Sequence, residues 1–281
     1  MNPQNIADIQ KSFTEQAQNF ENKNMNFSKQ EYLDYTVNCM NLTPNDCVLE
    51  AAAGTCACGR SIAPFVKFVV CLDATPAMLD VGKKEAEKSR IANMTFINGY
   101  VEKIPFGEQH FDIVLTRLAF HHFANMEKPF SEMNRVLKDA GQLVIIDMEA
   151  AEETLREIKD RIETMRDPSH IKTRSQDDFL SLYEKFGYMI TKQEATIIPV
   201  SLSAWLELTH TPNNIGVEIE DMMKAEMQNG NLTGFRPYLQ NGEIYFEQRW
   251  VLFIGEKYGE GISSTNKPIS AINLVSTSKS F

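Results

Sequence analysis

Five short apolar runs punctuate the first half of the chain, at residues 46–51, 68–73, 94–98, 111–116 and 142–147. Each is short, apolar and bounded by small or polar residues, so each predicts a buried strand. Helical spacing fills the gaps. Over 128–138, Phe130, Met133, Val136 and Leu137 fall on one face, Pro129 suits the first turn, and Asp139-Ala-Gly-Gln is a stop signal. Strands alternating with helices predict an α/β fold, with a mostly parallel sheet covered by helices on both faces.

Outside this core the pattern changes. Residues 4–40 are polar and helical, with Phe13, Ala17 and Phe20 at helical spacing. A charged helix is expected over 149–166. Ser175, with Asp178 three residues on, predicts an N-cap for a helix over 176–186 that Gly187 ends. Residues 188–200 and 244–255 alternate as strands do and are expected to extend or flank the sheet; 203–229 reads as helical. No internal repeat is visible. The organisation is therefore a helical cap at 1–44, a core at 45–148, a substrate cap and sheet-completing segment at 149–258, and a Ser-, Asn- and Gly-rich tail at 259–281 expected to be disordered or a non-native extension.

The chemistry concentrates between Cys47 and Asp73. The first strand ends in an acid, Glu50. A loop of tiny residues follows, holding Gly54, with Gly59 beyond it. The second strand ends in another acid, Asp73, twenty-three positions on. Strand, small-residue loop, helix, strand and acid is the layout of a nucleotide-type site at the carboxyl ends of parallel strands. A dinucleotide site wants only the second acid, for ribose hydroxyls. The first would repel a pyrophosphate, whereas a positively charged nucleoside would suit both.

Bulk properties narrow the partners. The 281 residues carry a formal net charge of −10, so a phosphate backbone is not an expected partner. No apolar run approaches the roughly 18 residues of a membrane span. The polar start, Met1-Asn-Pro-Gln-Asn, is unlike a secretory signal. Five cysteines lack the density of a disulfide scaffold and fit free thiols in a reducing compartment. A cytoplasmic location is expected. Monomer and homodimer both stay open.

Four blocks in the right order resemble one family. Val48-Leu-Glu-Ala-Ala-Ala-Gly-Thr resembles motif I of the class I S-adenosylmethionine-dependent methyltransferases, on the ubiquinone/menaquinone C-methyltransferase-like branch. Cys71-Leu-Asp-Ala-Thr-Pro-Ala-Met-Leu resembles motif II. The stretch from Phe96 to Val114 resembles motif III leading into strand four, and Arg135 to Asp147 the helix, turn and strand that close the core. The resemblance covers roughly residues 12 to 150. Arg117-Leu-Ala-Phe-His-His-Phe and Arg166-Asp-Pro-Ser-His-Ile resemble a bacterial subgroup acting on small molecules.

The resemblance implies a Rossmann-like fold and S-adenosylmethionine as cofactor, with roles for particular residues. Glu50 would meet the methionine ammonium. Ala51, Ala52 and Gly54 would let the backbone approach the ligand, although the family's G-x-G-x-G is here Ala52-Ala-Gly-Thr-Cys. Ala52 and Cys56 either hold φ below zero or accept a modest penalty. Asp73 would accept both ribose hydroxyls; Ala74 and Met78 would pack near the adenine. Gly99, Tyr100, Val101 and Glu102 would flank the base, with Tyr100 standing where the family often has an acid. Arg117 would meet the carboxylate, and Phe20 would cap the site.

His121 and His122, after strand four, are the candidate catalytic residues, since an imidazole can orient an acceptor or take its proton near neutral pH. Either could equally cap the next helix. His170 lines the pocket or fixes a turn, and Arg166 and Asp167 pair with each other. Trp205, Tyr183, Tyr238 and Phe246 are candidates for an acceptor pocket against a default of core packing. Cys56 and Cys58 form a C-x-C too sparse for a metal site, and no metal is expected. Alignment of the partners can supply about 7–11 kcal/mol; a general base adds about 3–5 kcal/mol. The residues therefore need not announce the acceptor atom. The acidic balance and scattered aromatics of 149–258 hint at a neutral or cationic acceptor. The expected activity is methyl transfer to a small organic molecule. Its alternatives are a non-catalytic regulatory binder, non-methylating chemistry on the bound sulfonium, and a nicotinamide oxidoreductase, which Glu50 disfavours.

Overall fold

The five apolar runs become five parallel strands: β1 (Cys47–Ala51), β2 (Phe68–Asp73), β3 (Met94–Asn98), β4 (Phe111–Arg117) and β5 (Leu137–Met148). The computed structural model describes residues 3–17, 19–21, 29–230 and 232–258; the 259–281 tail lies outside them. Three more strands follow: β6 (Tyr188–Ser201), β7 (Tyr238–Gln240) and β8 (Glu243–Lys257). They complete one eight-stranded sheet in the order β3-β2-β1-β4-β5-β8-β6, with β7 paired to β8. β8 runs antiparallel to both β5 and β6. Both expected late strands thus extend the sheet.

Helices cover the two faces. They are α1 (Pro3–Gln16), α2 (Gln30–Cys39), α3 (Ala57–Ile62), α4 (Pro76–Lys88), α5 (Glu127–Val136), α6 (Glu153–Arg166), α7 (Gln176–Lys185), α8 (Leu202–Leu208) and α9 (Asn213–Asn229). Alternation within strands divides the core. Leu49, Ala51 and Leu72 pack with Phe130, Met133 and Tyr183 on one face. Val48, Val69 and Cys71 pack with Ile62 and Leu79 on the other. Ser175 caps α7 through a full capping box with Asp178, and Gly187 follows with φ +74°.

Three boundaries differ from the sequence reading. α5 stops at Val136, before the expected 138, because Leu137 already pairs with Phe111 in the sheet. The charged helix begins at Glu153 rather than 149, since Glu149 and Ala150 are tied to Arg174 and Arg249 through the backbone. The helical stretch expected over 203–229 is two helices broken at Thr209–Pro212; Pro212 disfavours helical geometry in the residue before it.

The chain runs outward through β2 and β3, then returns past β1 to β4 and β5. That reversal opens a crevice beyond the carboxyl ends of β1 and β4.

Candidate active site

A cavity of about 610 Å³ fills this crevice. Its floor includes Glu50, Gly54, Asp73, Ala74 and Arg117; α1 supplies Gln10, Phe13 and Gln16 from above. α1 is fixed there by three contacts. Gln10 Nε2 donates to the Ala74 carbonyl (2.7 Å), Ser12 Oγ donates to Asp167 Oδ1 (3.2 Å), and the Phe13 ring stands edge-on to His122 at 5.0 Å.

Glu50 is buried. Its Oε2 accepts the Gly59 N–H (2.8 Å). The contact needs glycine there, since a Cβ at 59 would lie 2.6 Å from that same oxygen and 2.9 Å from Cys71 Sγ. Burial pushes the Glu50 carboxyl up to about 7, against the opposing pull of the Gly59 N–H and of Arg60 and Arg117. Asp73 is half-buried. Its two oxygens accept the N–H groups of Gly54 and Thr75, both at 2.8 Å. Burial raises its pKa despite those bonds. Glu50 Oε2 also accepts the Cys71 thiol (3.6 Å), so Glu50 Oε1 and the Asp73 oxygens keep lone pairs for a ligand.

The loop between them takes an unusual path. Ala52, Gly54 and Cys56 all have positive φ, at +54°, +52° and +60°. These are the three positions where the family motif has glycine, the residue that adopts positive φ most readily. Ala52 and Cys56 accept the penalty, of about 1–2 kcal/mol each. A Cβ at Gly54 would meet nothing within 4 Å, so glycine serves the backbone there and leaves the space above it open. Burial raises the thiols of Cys56, Cys58 and Cys71, which makes them packing groups.

Beyond β4, two histidine rings lie against each other, centroids 4.1 Å apart and planes tilted by 47°. His121 Nδ1 meets Asp147 Oδ1 at 2.6 Å. Asp147 also accepts the N–H groups of Ala119, Phe120 and Met148. Burial disfavours a charged His121, but the Asp147 carboxylate outweighs it and the pKa rises. His122 goes the other way. Burial, then the neighbouring His121, push it down to about 3. His122 Nδ1 lies 3.0 Å from the Ser169 carbonyl oxygen and 3.1 Å from Ser169 Oγ. Ser169 Oγ donates to Asp167 Oδ1 (2.6 Å), so both contacts at Nδ1 require that nitrogen to be the donor. The neutral ring then carries its lone pair on Nε2. Although burial opposes it, Asp167 is held at about 2 by His122, Arg166 and the Ser169 donors.

The cavity brings together most of the residues singled out from sequence: Phe20, Glu50, Ala52, Gly54, Asp73, Ala74, Met78, Gly99, Tyr100, Val101, Glu102, Arg117, His121 and His122 all line it. Ala51 does not. Next to Glu50 on β1, it points to the opposite face and packs with Leu49 and Leu72. Ala53 and Thr55 line the cavity in its stead. His170 is a turn-fixing residue, bonded through Nε2 to Asp160 at 2.9 Å. Of the four aromatics, Trp205 reaches the cavity. Tyr183 is buried, with its O–H on the Leu143 and Phe253 carbonyls; Phe246 packs in the core with Ile198 and Ile219; Tyr238 pairs in β7. The sequence reading missed Gln10, Tyr245, Gln248 and Trp250, which also line it. No local motif marks them, because they come from α1 and β8. Among the described residues no group of three or more His, Cys, Asp or Glu could hold a metal ion.

The donor set fits a cationic nucleoside. One acid stands at the end of each of two adjacent strands, apolar groups lie at Met78 and Val101, and a guanidinium lies at Arg117. Fold and cavity together define a class I methyltransferase. A family model described as a methyltransferase domain matches residues 42–194, and the chain belongs to that family. It is 29% identical over 166 residues to the uncharacterized methyltransferase YcgJ of Bacillus subtilis, covering 59% of this chain and 66% of that one. The YcgJ structure superposes with a TM-score of 0.73 over 82% of this chain and 99% of YcgJ, at 25% identity. BH2331 of Bacillus halodurans, provisionally described as a methyltransferase, gives a TM-score of 0.75 at 27% identity, over 82% of this chain and all of BH2331. The ubiquinone/menaquinone biosynthesis C-methyltransferase UbiE of Shewanella oneidensis is 28% identical over 134 residues, 45% of this chain and 52% of UbiE. The match thus spans about half the length of UbiE. The protein is a methyltransferase, and its cofactor is S-adenosylmethionine.

Proposed function

We propose that the protein methylates a small organic acceptor held beside His122, in the cytoplasm. The observation that supports this most is the opening of Glu50, Asp73 and His122 onto one cavity. Asp73 accepts hydroxyl donors of the nucleoside on the lone pairs that Gly54 and Thr75 leave. Glu50 faces the ammonium, and Arg117 the carboxylate. Ala74, Met78 and Val101 flank the base, with Gly99, Tyr100 and Glu102 around it, and Phe20 closes that end. Bound there, S-adenosylmethionine supplies an electrophilic methyl group. The chain's own part is to align the acceptor and remove its proton.

His122 Nε2 receives that proton. Burial makes the ring a weak base, and ionised Asp167, linked through the Ser169 hydroxyl, partly restores its strength. A base contributes at most about 10²- to 10⁴-fold, so positioning within the cavity carries the larger share. His121, held by Asp147, fixes the His122 ring by packing against it.

Titration of the purified protein with S-adenosylmethionine, S-adenosylhomocysteine and NAD tests the site, followed by transfer of labelled methyl to a panel of small acceptors. Micromolar binding of the first two without NAD, and label transfer lost in His122→Ala, would support the reading. Binding without transfer to any acceptor would favour a regulatory binder.

A further inference from the structure

The far half of the cavity, away from Glu50 and Asp73, is built from α6, β6, α8 and β8. An arginine is laid on a tryptophan there, and a second such pair stands at its border with the cofactor half. The Arg166 guanidinium sits 4.5 Å over the Trp205 ring, and Arg117 sits 5.1 Å over Trp250. All four residues line the cavity.

The hydrogen-bonding capacity of this half is lopsided. Arg166 has carboxylates near it, but Asp167 Oδ2 stands at 3.6 Å and Glu163 Oε2 at 3.9 Å. Both are beyond hydrogen-bond reach. Its Nε is buried with no partner among the described residues, and so is Trp205 Nε1. Gln248 Oε1 is taken by Trp250 Nε1 at 3.3 Å, which leaves the Gln248 amide N–H groups for the cavity. Two acceptors nearby are already engaged. Asp167 Oδ1 receives Ser12, the Ser169 N–H and the Ser169 hydroxyl, and Ser201 Oγ accepts the Ala204 N–H (3.3 Å). Arg166 Nε and Trp205 Nε1 are therefore unmet donors at this end, and a buried donor left unmade is costly. Apolar walls at Val200, Ala204 and Leu208 adjoin these donors.

We infer that the methyl acceptor is a small carboxylate with an apolar or aromatic body, its oxygens held by Arg166 and Trp205 Nε1. A guanidinium fork matches a carboxylate in plane, and the indole N–H adds a second direction. The acidic balance and aromatics of 149–258 suggested a neutral or cationic acceptor, but the acids nearest this end lie against Arg166 itself, Asp167 Oδ2 at 3.6 Å and Glu163 Oε2 at 3.9 Å. The inference rests on the methyltransferase reading above, because it takes this half of the cavity as the acceptor side.

The test uses full-length protein saturated with S-adenosylhomocysteine, whose own binding isotherm is recorded first. Benzoate, benzamide and benzamidine serve as anionic, neutral and cationic probes of one shape. Benzoate is expected to bind at least about tenfold more tightly than the other two, as a charge-assisted pair requires. Arg166→Gln should remove that preference. Trp205→Phe keeps the ring and loses only the N–H, and should weaken benzoate about three- to tenfold. Both variants should leave the S-adenosylhomocysteine isotherm unchanged. Preference for benzamidine, or equal binding of the three probes, overturns the carboxylate assignment. Loss of S-adenosylhomocysteine binding by the wild-type protein would sink the cofactor reading instead.

Discussion

Replacing Glu50 by Gln should move stability and affinity in opposite directions. In the folded, ligand-free protein, burial holds the Glu50 carboxyl at about 7; in the unfolded chain it ionises near 4.3. A carboxyl raised on folding favours the fold below its unfolded pKa, and that advantage is lost as pH climbs through the folded value. From 4.3 to about 7, at 1.36 kcal/mol for each tenfold change in proton binding, the loss is about 4 kcal/mol. About 2 kcal/mol of it falls between pH 5.5 and 7. Glutamine keeps an oxygen for the Gly59 N–H and carries no charge to bury. The variant should therefore gain on wild type as pH rises, melting about 5 °C higher at pH 8.5 without ligand. Its affinity for S-adenosylhomocysteine should fall about tenfold or more at the same pH, since a charged hydrogen bond to the ammonium is gone. Wild-type affinity should drop as pH falls below 7, where Glu50 must lose a proton to bind; the variant's should lack that slope. Thermal unfolding and calorimetry from pH 5.5 to 8.5 measure both. Equal melting curves at pH 8.5, or the same pH slope of affinity in both proteins, would refute the reasoning.

Asp73→Ala should weaken S-adenosylhomocysteine by about tenfold or more by removing an acceptor of two hydroxyls, and unchanged calorimetry would mean the site is misplaced. His122→Ala should leave that affinity intact and cut turnover by about 10²-fold or more; equal loss of both would make the ring structural. Gly59→Ala should displace Glu50 and lower affinity as Glu50→Gln does, but also destabilise the fold, because its Cβ meets the carboxylate at 2.6 Å. Ala52→Gly should stabilise by about 1 kcal/mol, against the usual sign of that change, because φ is +54° there; a lower melting temperature would show the strain is not real.

The cofactor half was legible because its chemistry is local. Each acid closes an apolar run that folds as its own strand, and the loop between them lies within a few residues of both. Ala51 was misplaced by treating the loop as starting inside β1, where alternation turns every second side chain away. The acceptor half was not legible. Phe13, Arg166, Trp205 and the pair Tyr245 and Trp250 come from four separate stretches, α1, α6, α8 and β8, and only the antiparallel return of β8 beside β5 brings the last two to the rim. Trp205 was one of four pocket candidates that sequence could not separate from core packing, Trp250 was not singled out, and both are largely buried. Their polar edges gain meaning only with the arginines above them. The end of α5 was misread because helical spacing persists past the point where Leu137 joins the sheet. The break at Thr209–Pro212 did carry a visible signal, in Pro212 itself.

The α1 contacts bear on traffic through the enzyme. One helix is pinned to the end of β2 by Gln10, to Asp167 by Ser12 and to His122 by Phe13. Cofactor and acceptor compartments thus share a single roof. Detaching it would expose both at once, so spent cofactor and methylated product would leave through the same opening event, and the frequency of that event would set a ceiling on turnover however fast the chemistry beneath becomes.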